Sequence, residues 1–199
     1  MKEFLLPEHT NMGGWFIPKS TVKKIIKFWH NPKYQEYKKQ GISKTYNNEA
    51  NTDSAVKEST ELQIFVPVCD WQVIEPWGEY LDHLQKCLDN YLIKYPFANN
   101  VSTFSLEPSF NLQHYKKNGG FKRLHQENKG CAESGRRHLV FTTYLNDIEN
   151  GGTEFPVQDV ITPSIEGLTV IFPAYFTHPH KSQVSHDSEK MIVTGWWTF

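Results

Sequence analysis

The sequence predicts an α+β fold in which N-terminal helices support a jelly-roll-like core of antiparallel strands. Apolar residues recur at helical spacing in the first hundred residues, whereas after Pro108 they alternate with polar residues at a period of two. The strand-like segments in the second half are also short and separated by turn residues. This pattern is typical of an antiparallel sandwich or barrel rather than of a βαβ architecture.

Length and charge limit the classes of protein that fit. With 199 residues and a formal net charge of −1, the chain has room for one sizeable domain and no overall charge that favours nucleic acid or an anionic membrane. Its three cysteines, at positions 69, 87 and 131, show no CxxC spacing, which argues against a disulfide framework or a structural zinc site. No stretch approaches a signal peptide or the roughly 18 apolar residues of a membrane span. We therefore predict a soluble protein of a reducing cytoplasm.

Two amphipathic helices are predicted in the first hundred residues. The first covers residues 20–29, with Ser20 as its cap and Asn31-Pro32 as its end. The second follows Pro76, and its apolar residues recur about every 3.6 positions until Tyr95-Pro96. Both helices should bury one apolar face against the β core.

The segment between the helices is mostly polar. Residues 33–59 are predicted as a long loop with one short helix at 34–39, and the apolar run at 62–68 as a strand or a buried edge. A loop of this length is a candidate lid or substrate loop. An ordinary disordered connection is the alternative.

The second half of the chain predicts a series of strands. Residues 110–115 alternate at period two and lead into a turn at Asn118-Gly119-Gly120. Gly151-Gly152 is predicted as a second turn. Further strands are expected at residues 138–145, 167–172 and 190–199.

A His-x-Glu pair, His125 and Glu127, lies in the strand-like segment after the first turn. Because residues two apart in a strand point to one face, this pair can present an imidazole and a carboxylate side by side to a metal. With nine histidines and 22 acidic residues, such a match is expected about once by chance, so an exposed strand is the alternative. A third ligand could come from His178 or His180, which flank Pro179 after a strand end.

Lys190 begins the final strand, and both faces of that strand are apolar. On one face it is followed by Ile192, Thr194 and Trp196. A buried ammonium in this position requires an anion, since an unpaired buried charge costs several kcal/mol. If this face lines a pocket, a ligand carboxylate would be the partner. Alternatively, Lys190 lies at the strand mouth and extends into water.

Five ordered motifs in residues 104–199 resemble the 2-oxoglutarate- and Fe(II)-dependent dioxygenases of the prolyl 4-hydroxylase type. They are the segment from Tyr115 to Glu127, TYLND at 143–147, GGTEF at 151–155, His180, and Lys190 ten residues later within EKMIVTGW. The stretch VKESTEL at 56–62 also resembles a segment that precedes the core in small bacterial and phage members. The resemblance implies a double-stranded β-helix (jelly-roll, cupin-like) core. The resemblance also implies a single domain over residues 1–199, with mainly helical and loop support at 1–100 and a catalytic core at 104–199.

The resemblance also implies roles for individual residues. His125, Glu127 and His180 would bind Fe(II), with His180 preferred over His178 because the family places its distal histidine ten residues before the basic residue. Lys190 would bind the far carboxylate of 2-oxoglutarate. Further residues implied in the cosubstrate pocket are Tyr115, Thr143 or its neighbour Thr142, and Trp196. Two departures from the family pattern are Glu127, where aspartate is more common, and Ser188, where a glycine usually stands.

The implied activity is the hydroxylation of a prolyl residue in a peptide or protein, or of a free amino acid. Fe(II), 2-oxoglutarate and O2 would be required, with ascorbate (vitamin C) as a reductant. Nucleic acid is not expected as a partner, although five basic residues lie near the motifs: Lys122, Arg123, Lys129, Arg136 and Arg137. One alternative is a non-catalytic jelly-roll binding protein. Another is a cupin-like hydrolase that holds zinc or manganese through His125, Glu127, His178 and His180.

Overall fold

The computed structural model describes residues 1–41, 43–44, 50–66, 75–132 and 134–199. These contain two α-helices, α1 (Lys19–His30) and α2 (Trp77–Lys94), and 3-10 helices at Glu8–Thr10, Pro32–Tyr37 and Pro96–Asn99. The strands are β1 (Glu3–Phe4), β2 (Gly13–Phe16), β3 (Lys39–Gln40), β4 (Ser43–Lys44), β5 (Ala50–Asn51), β6 (Lys57–Glu58), β7 (Thr60–Phe65), β8 (Ser105–Leu106), β9 (Ser109–Tyr115), β10 (Gly120–Phe121), β11 (Arg137–Tyr144), β12 (Ile148–Phe155), β13 (Val160–Ser164), β14 (Leu168–Pro173), β15 (Lys181–Ser182) and β16 (Lys190–Thr198).

One large antiparallel sheet forms the centre of the fold. Its nine strands run in the order β1-β2-β14-β11-β16-β9-β7-β3, with β8 beside β16. A smaller sheet has the order β13-β12-β15, and two further strand pairs join β10 to β6 and β4 to β5. Apart from β1 and β2, neighbouring strands of the large sheet are far apart in sequence, so the sheet is assembled mostly by long connections. The predicted α+β architecture with an antiparallel core is therefore confirmed.

The large sheet buries both of its faces. On one face, α1 and α2 pack through side chains such as Trp29 and Leu84 against Phe141 and Val193. On the other face, the smaller sheet covers part of the surface, and Phe155 packs there with other core residues: Val140, Val170 and Ile192. The uncovered part of this second face is the floor of a cavity that contains the candidate site.

The helices begin and end close to their predicted positions, with one correction. Helix α1 starts at Lys19, and its N-cap is Pro18 rather than Ser20, with no side-chain hydrogen bond at the cap. Proline fixes φ near the value that the chain needs to enter the helix, so no hydroxyl cap is required. Helix α2 follows Pro76 as predicted.

The segment predicted as a long loop contains regular structure. The short helix expected at 34–39 is a 3-10 helix at Pro32–Tyr37, which begins where the Asn31 side chain accepts a hydrogen bond from Lys33 N. Four short strands, β3 to β6, occupy parts of residues 39–58. Residues 42 and 45–49 of the predicted loop lie outside the described residues. The apolar run at 62–68 forms β7 at Thr60–Phe65, and residues 67–68 also lie outside the described residues.

The N-terminal hundred residues contribute strands as well as helical and loop support. Strand β2 pairs with β14, and β7 pairs with β9 over Thr60↔His114 to Phe65↔Ser109. Four strands of the N-terminal part thus extend the large sheet, β1 and β2 on one side and β7 and β3 on the other. The assignment of one domain to residues 1–199 stays a prediction.

The predicted turn at Gly151-Gly152 is wrong. Both glycines lie inside β12, where the pairing with β13 changes register between Ile148 and Thr153. A Cβ atom at Gly152 would lie 1.8 Å from the carbonyl oxygen of Thr162. Glycine is required here because two backbones approach closely at a bulge, not because the chain reverses.

Two cysteines lie in the described residues, and Cys87 carries a free thiol. Cys87 is buried in α2 and Cys131 is half-buried, while Cys69 lies outside the described residues. None of the helices found in the described residues is long and apolar enough to cross a membrane.

We expect Gly152→Ala to destabilise the protein, because the added methyl group meets backbone rather than a movable side chain. The expected loss in the free energy of unfolding is about 1–3 kcal/mol, measured by urea titration. Gly120→Ala is the matched control, since its Cβ would meet only side-chain atoms of Val184 and Ser182, at 3.3 Å or more. Equal stability of the two variants would contradict the close approach.

Candidate active site

Three side chains converge at one end of the cavity. His125, Glu127 and His180 each offer a ligand atom, and these atoms lie within 4.8 Å of one another. Glu127 Oε1 is 3.4 Å from His125 Nε2 and 3.6 Å from His180 Nε2. Two imidazoles and a carboxylate at this separation can share one metal ion.

Hydrogen bonds select which nitrogen of each imidazole faces the common centre. His125 Nδ1 is 2.9 Å from the carbonyl oxygen of Arg123, and His180 Nδ1 is 3.0 Å from that of His178. A carbonyl can only accept, so each Nδ1 carries a proton, and in the neutral ring each Nε2 keeps its lone pair. Both rings therefore present the tautomer that a metal requires.

The backbone that holds the two histidines differs from the predicted strand. His125 and His180 form an isolated antiparallel bridge, with N–O distances of 3.0 and 2.8 Å in the two directions. His125 lies outside every regular strand, so the predicted strand through residues 125–127 is wrong. The side chains still converge because the bridge places the two histidines directly opposite each other, with ring centroids 4.4 Å apart.

His178 does not join this group. Its ring is buried, with Nε2 2.8 Å from the carbonyl oxygen of Thr10 and Nδ1 2.9 Å from Thr177 Oγ1. Both nitrogens are therefore engaged in hydrogen bonds away from the other three residues. This geometry argues against a site with four protein ligands.

Electrostatics favour an ionised carboxylate at Glu127 and a neutral imidazole at His125. Burial disfavours the charge on Glu127, but His125, His180 and the Arg137 guanidinium overcome this and hold its pKa well below the usual range. The pKa of His125 is lowered, chiefly by burial and then by the neighbouring His180. A lowered histidine pKa keeps the metal-binding form present at neutral pH.

A cavity of about 1100 Å³ extends from the three side chains across the floor of the large sheet. Lys190 lies in it with only 4% of its surface exposed, so the alternative in which it extends into water is wrong. Its ammonium donates to Ser182 Oγ and, at 3.1 Å, to the carbonyl oxygen of Gln183. Burial lowers the pKa of Lys190 to about 7. The contacts supply no charge to balance the ammonium.

The two faces of the strand that carries Lys190 have different surroundings. Ile192, Thr194 and Trp196 line the cavity on the same face as Lys190. Met191, Val193 and Trp197 belong to the core between the sheet and the helices. The alternation that was read from the sequence thus separates a cavity face from a core face.

Tyr115 and Thr143 were both expected around the cosubstrate, but only Tyr115 lines the cavity. Tyr115 lines the cavity, with its ring centroid 5.2 Å from Lys190 Nζ and its hydroxyl 2.6 Å from Gln113 Oε1. Thr143 does not line it. Its hydroxyl is fully buried on the helix side of the sheet, 2.9 Å from Tyr80 Oη and 2.8 Å from Thr169 Oγ1. The placement of Thr143 in the pocket is corrected, and its neighbour Thr142 lines the cavity instead.

Several cavity residues were not singled out from the sequence. Phe121 stacks on the His125 ring with centroids 3.6 Å apart, and Lys57 Nζ lies 5.3 Å from the Phe121 centroid. Ser182 bonds Lys190 from β15. Lys57 belongs to the VKESTEL stretch, which was the only sequence signal for it. Ser182 follows His180 by two residues, and this spacing alone gave no reason to select it.

The five basic residues near the motifs do not form one surface. Arg137 and Lys129 line the cavity, whereas Arg136 is exposed. Lys122 pairs with Glu58 at 3.2 Å, and Arg123 contributes its carbonyl oxygen to His125. This dispersal gives no support to a continuous nucleic-acid interface.

Comparison with known proteins identifies the domain. Residues 110–198 match the family model of the 2OG-Fe(II) oxygenase superfamily. No curated protein matches the sequence. The matched region begins in β9 and ends in β16, and it contains all three converging side chains and Lys190.

Solved prolyl hydroxylases share the architecture over almost the whole chain. A Pseudomonas putida prolyl-4-hydroxylase is 15% identical, with a TM-score of 0.69 and coverage of 96% of this chain and 94% of that one. A viral collagen prolyl hydroxylase from Paramecium Bursaria Chlorella virus-1, in its 2OG complex, is also 15% identical, with a TM-score of 0.62 and coverage of 94% and 95%. A Trichoplax adhaerens prolyl hydroxylase, solved with a hypoxia inducible factor oxygen degradation domain peptide fragment, is 13% identical, with a TM-score of 0.67 and coverage of 95% and 84%.

At these identities the structural likeness establishes the fold, which is the double-stranded β-helix of these enzymes. The family match, in contrast, covers the three converging side chains and Lys190. Together they confirm the resemblance that the ordered motifs indicated. Residues 110–198 thus match the 2OG-Fe(II) oxygenase superfamily, within a fold that the chain shares with solved prolyl hydroxylases.

Proposed function

We propose that His125, Glu127 and His180 bind the catalytic Fe(II) and that Lys190 binds the far carboxylate of 2-oxoglutarate. The observation that carries this proposal is that a metal-binding group of side chains and a buried ammonium line the same cavity. Three ligand atoms converge at one end of it, and a buried ammonium without an acidic partner among the described residues lies within it. The cavity thus offers one place for a metal and another for an anion.

The donor set fits Fe(II). Two neutral imidazoles and one carboxylate are the ligands of non-haem iron oxygenases, and on an octahedral ion they leave three positions open. Both Nε2 atoms already carry their lone pairs toward the centre, because both Nδ1 atoms donate to carbonyl oxygens. When bound, the iron and 2-oxoglutarate supply the oxygen-activating chemistry that ends in hydroxylation, with succinate and CO2 as the other products.

The protein's own residues bind and orient the cosubstrate. Lys190 and Ser182 form a charged and a neutral donor for one carboxylate, and the Tyr115 ring lies beside them. Ile192 and Trp196, on the same face of β16 as Lys190, provide apolar walls of the cavity. A water-poor cavity strengthens the attraction between the ammonium and a carboxylate.

The proposed substrate is a prolyl residue of a peptide or protein, with a free amino acid as the alternative. Sites for small molecules occupy roughly 300–1,000 Å³, and the cavity of about 1100 Å³ exceeds this range. It also reaches Phe65, which is 70% exposed on β7. A space of this size and openness favours a peptide segment beside the cosubstrate. We further propose a cytoplasmic location, supported by the free thiol of Cys87, and ascorbate as a reductant.

The activity is tested by following succinate formation with Fe(II), 2-oxoglutarate and O2 against proline-containing peptides and free proline. We expect succinate above the substrate-free rate with peptides, together with a peptide product heavier by one oxygen atom. Stimulation by free proline alone would select the amino-acid alternative. A metal-loaded protein that converts no 2-oxoglutarate under any condition would favour the non-catalytic binding protein.

Single substitutions of the histidines separate the three-ligand site from a four-ligand site. His125→Ala and His180→Ala should each weaken Fe(II) binding by at least roughly tenfold, measured by anaerobic calorimetry, because each removes a ligand. His178→Ala is the matched control and should bind Fe(II) within about threefold of the unaltered protein. Alanine at 178 keeps the backbone carbonyl that orients His180. An equal loss in His178→Ala would support the hydrolase alternative.

The affinity for 2-oxoglutarate should fall as the pH rises above neutrality. Burial lowers the pKa of Lys190 to about 7, so the free protein loses its ammonium as the pH rises through that value. The apparent Kd should then increase about tenfold per pH unit from about pH 8 to pH 9, by proton linkage. In Lys190→Arg the guanidinium keeps its proton throughout this range, so the Kd of the variant should stay nearly constant. Parallel curves for both proteins would contradict this role of Lys190.

A further inference from the structure

The two carboxylate oxygens of Glu127 have different partners. Oε1 faces both imidazole Nε2 atoms, at 3.4 and 3.6 Å. Oε2 accepts a hydrogen bond from Arg137 Nη1 at 3.1 Å. The same nitrogen lies 3.4 Å from the backbone carbonyl oxygen of Glu127. The guanidinium thus contacts both the side chain and the backbone of this residue and leaves one oxygen toward the histidines.

Arg137 is itself held in place from three directions. Its guanidinium carbon lies 3.5 Å from the centroid of the Trp196 ring, within stacking distance. Its Nε is 3.7 Å from Glu107 Oε2. Its backbone carbonyl accepts a hydrogen bond from Asn128 Nδ2 at 2.9 Å. An arginine packed against a ring and aligned with a carboxylate loses little freedom on forming an ion pair. The contact between Arg137 and Glu127 can therefore fix the orientation of the Glu127 carboxylate.

The orientation matters because the acidic residue is a glutamate. Both of its oxygens lie at the end of a longer side chain than that of aspartate, and a carboxylate can bind a metal through one oxygen or both. Binding through both would occupy one of the three positions that 2-oxoglutarate and O2 require. The hydrogen bond from the Arg137 guanidinium to Oε2 opposes binding through both oxygens, because Oε2 would have to give up this hydrogen bond to reach the metal.

We propose that Arg137 is a positioning residue that restricts Glu127 to binding the metal through Oε1 alone. This inference rests on the proposed iron site, and it explains how the chain accommodates glutamate at that position. Trp196 stacks on Arg137 and shares the cavity face of β16 with Lys190. The carboxylate ligand and the cosubstrate wall are therefore connected through one stacked pair.

The test counts the water molecules on Mn(II), used as a probe in place of Fe(II). Mn(II) bound to the unaltered protein should carry three exchangeable waters by water-proton relaxation, the number that three protein ligands leave on an octahedral ion. In Arg137→Met the count should fall to two, because Oε2 is free to join the metal. Methionine retains an apolar chain against Trp196, and the unfolding transition shows whether the variant is folded. Arg136→Met, at the exposed neighbouring arginine, is the matched control and should keep three waters.

A second measurement follows the cosubstrate. Arg137→Met should bind 2-oxoglutarate in the anaerobic Fe(II) protein at least tenfold more weakly, while its affinity for Fe(II) alone is unchanged or higher. Arg137→Lys should recover part of this loss, because an ammonium can still reach Oε2 but cannot stack as a plane. Three waters and undiminished 2-oxoglutarate affinity in Arg137→Met would overturn the inference. Failure of the unaltered protein to bind metal would instead overturn the proposed iron site.

Discussion

The backbone bridge between His125 and His180 is the constraint on which the candidate site depends. Two hydrogen bonds, at 3.0 and 2.8 Å, join a connecting segment to a residue 55 positions later, so both imidazoles face one point. Carbonyl oxygens next to the bridge then set the tautomers. The large sheet contributes separately, by carrying Lys190 on its final strand. The proposed metal ligands are thus held by loop backbone and the proposed anion site by a sheet, and both line one cavity.

Charge is distributed unequally along this cavity. At the metal end the Glu127 carboxylate is matched by Arg137, with an Nη1–Oε2 distance of 3.1 Å. Within the described part of the chain, Lys190 contacts only neutral groups, and its pKa of about 7 reflects the cost of burying an ammonium. A protein that keeps such a group gives up stability, because an apolar side chain would fill the same space at lower cost. The retention of the lysine is explained if a dianionic cosubstrate completes the charge balance.

Local periodicity accounts for what the sequence predicted well. The apolar stripes of the two helices and the alternation in β16, including the cavity face of Lys190, follow from spacing within a single element. What depends on pairing between distant segments was not predictable in this way. Gly152 looked like a turn residue, but a carbonyl of another strand approaches it at a bulge. Thr143 and Thr142 differ by one position in a strand, and a one-residue difference reverses the face. The ion pair of Arg137 with Glu127 likewise forms only after the chain has folded.

The central claim is that one cavity binds Fe(II) through three side chains and 2-oxoglutarate through both the metal and Lys190. Anaerobic titration of the Fe(II) protein with 2-oxoglutarate tests it most directly, because chelation of the iron by the cosubstrate produces a weak visible metal-to-ligand charge-transfer band. The account predicts a band that saturates at one 2-oxoglutarate per protein and requires a much higher concentration in Lys190→Ala. Absence of the band in a protein that demonstrably holds Fe(II) would contradict the account.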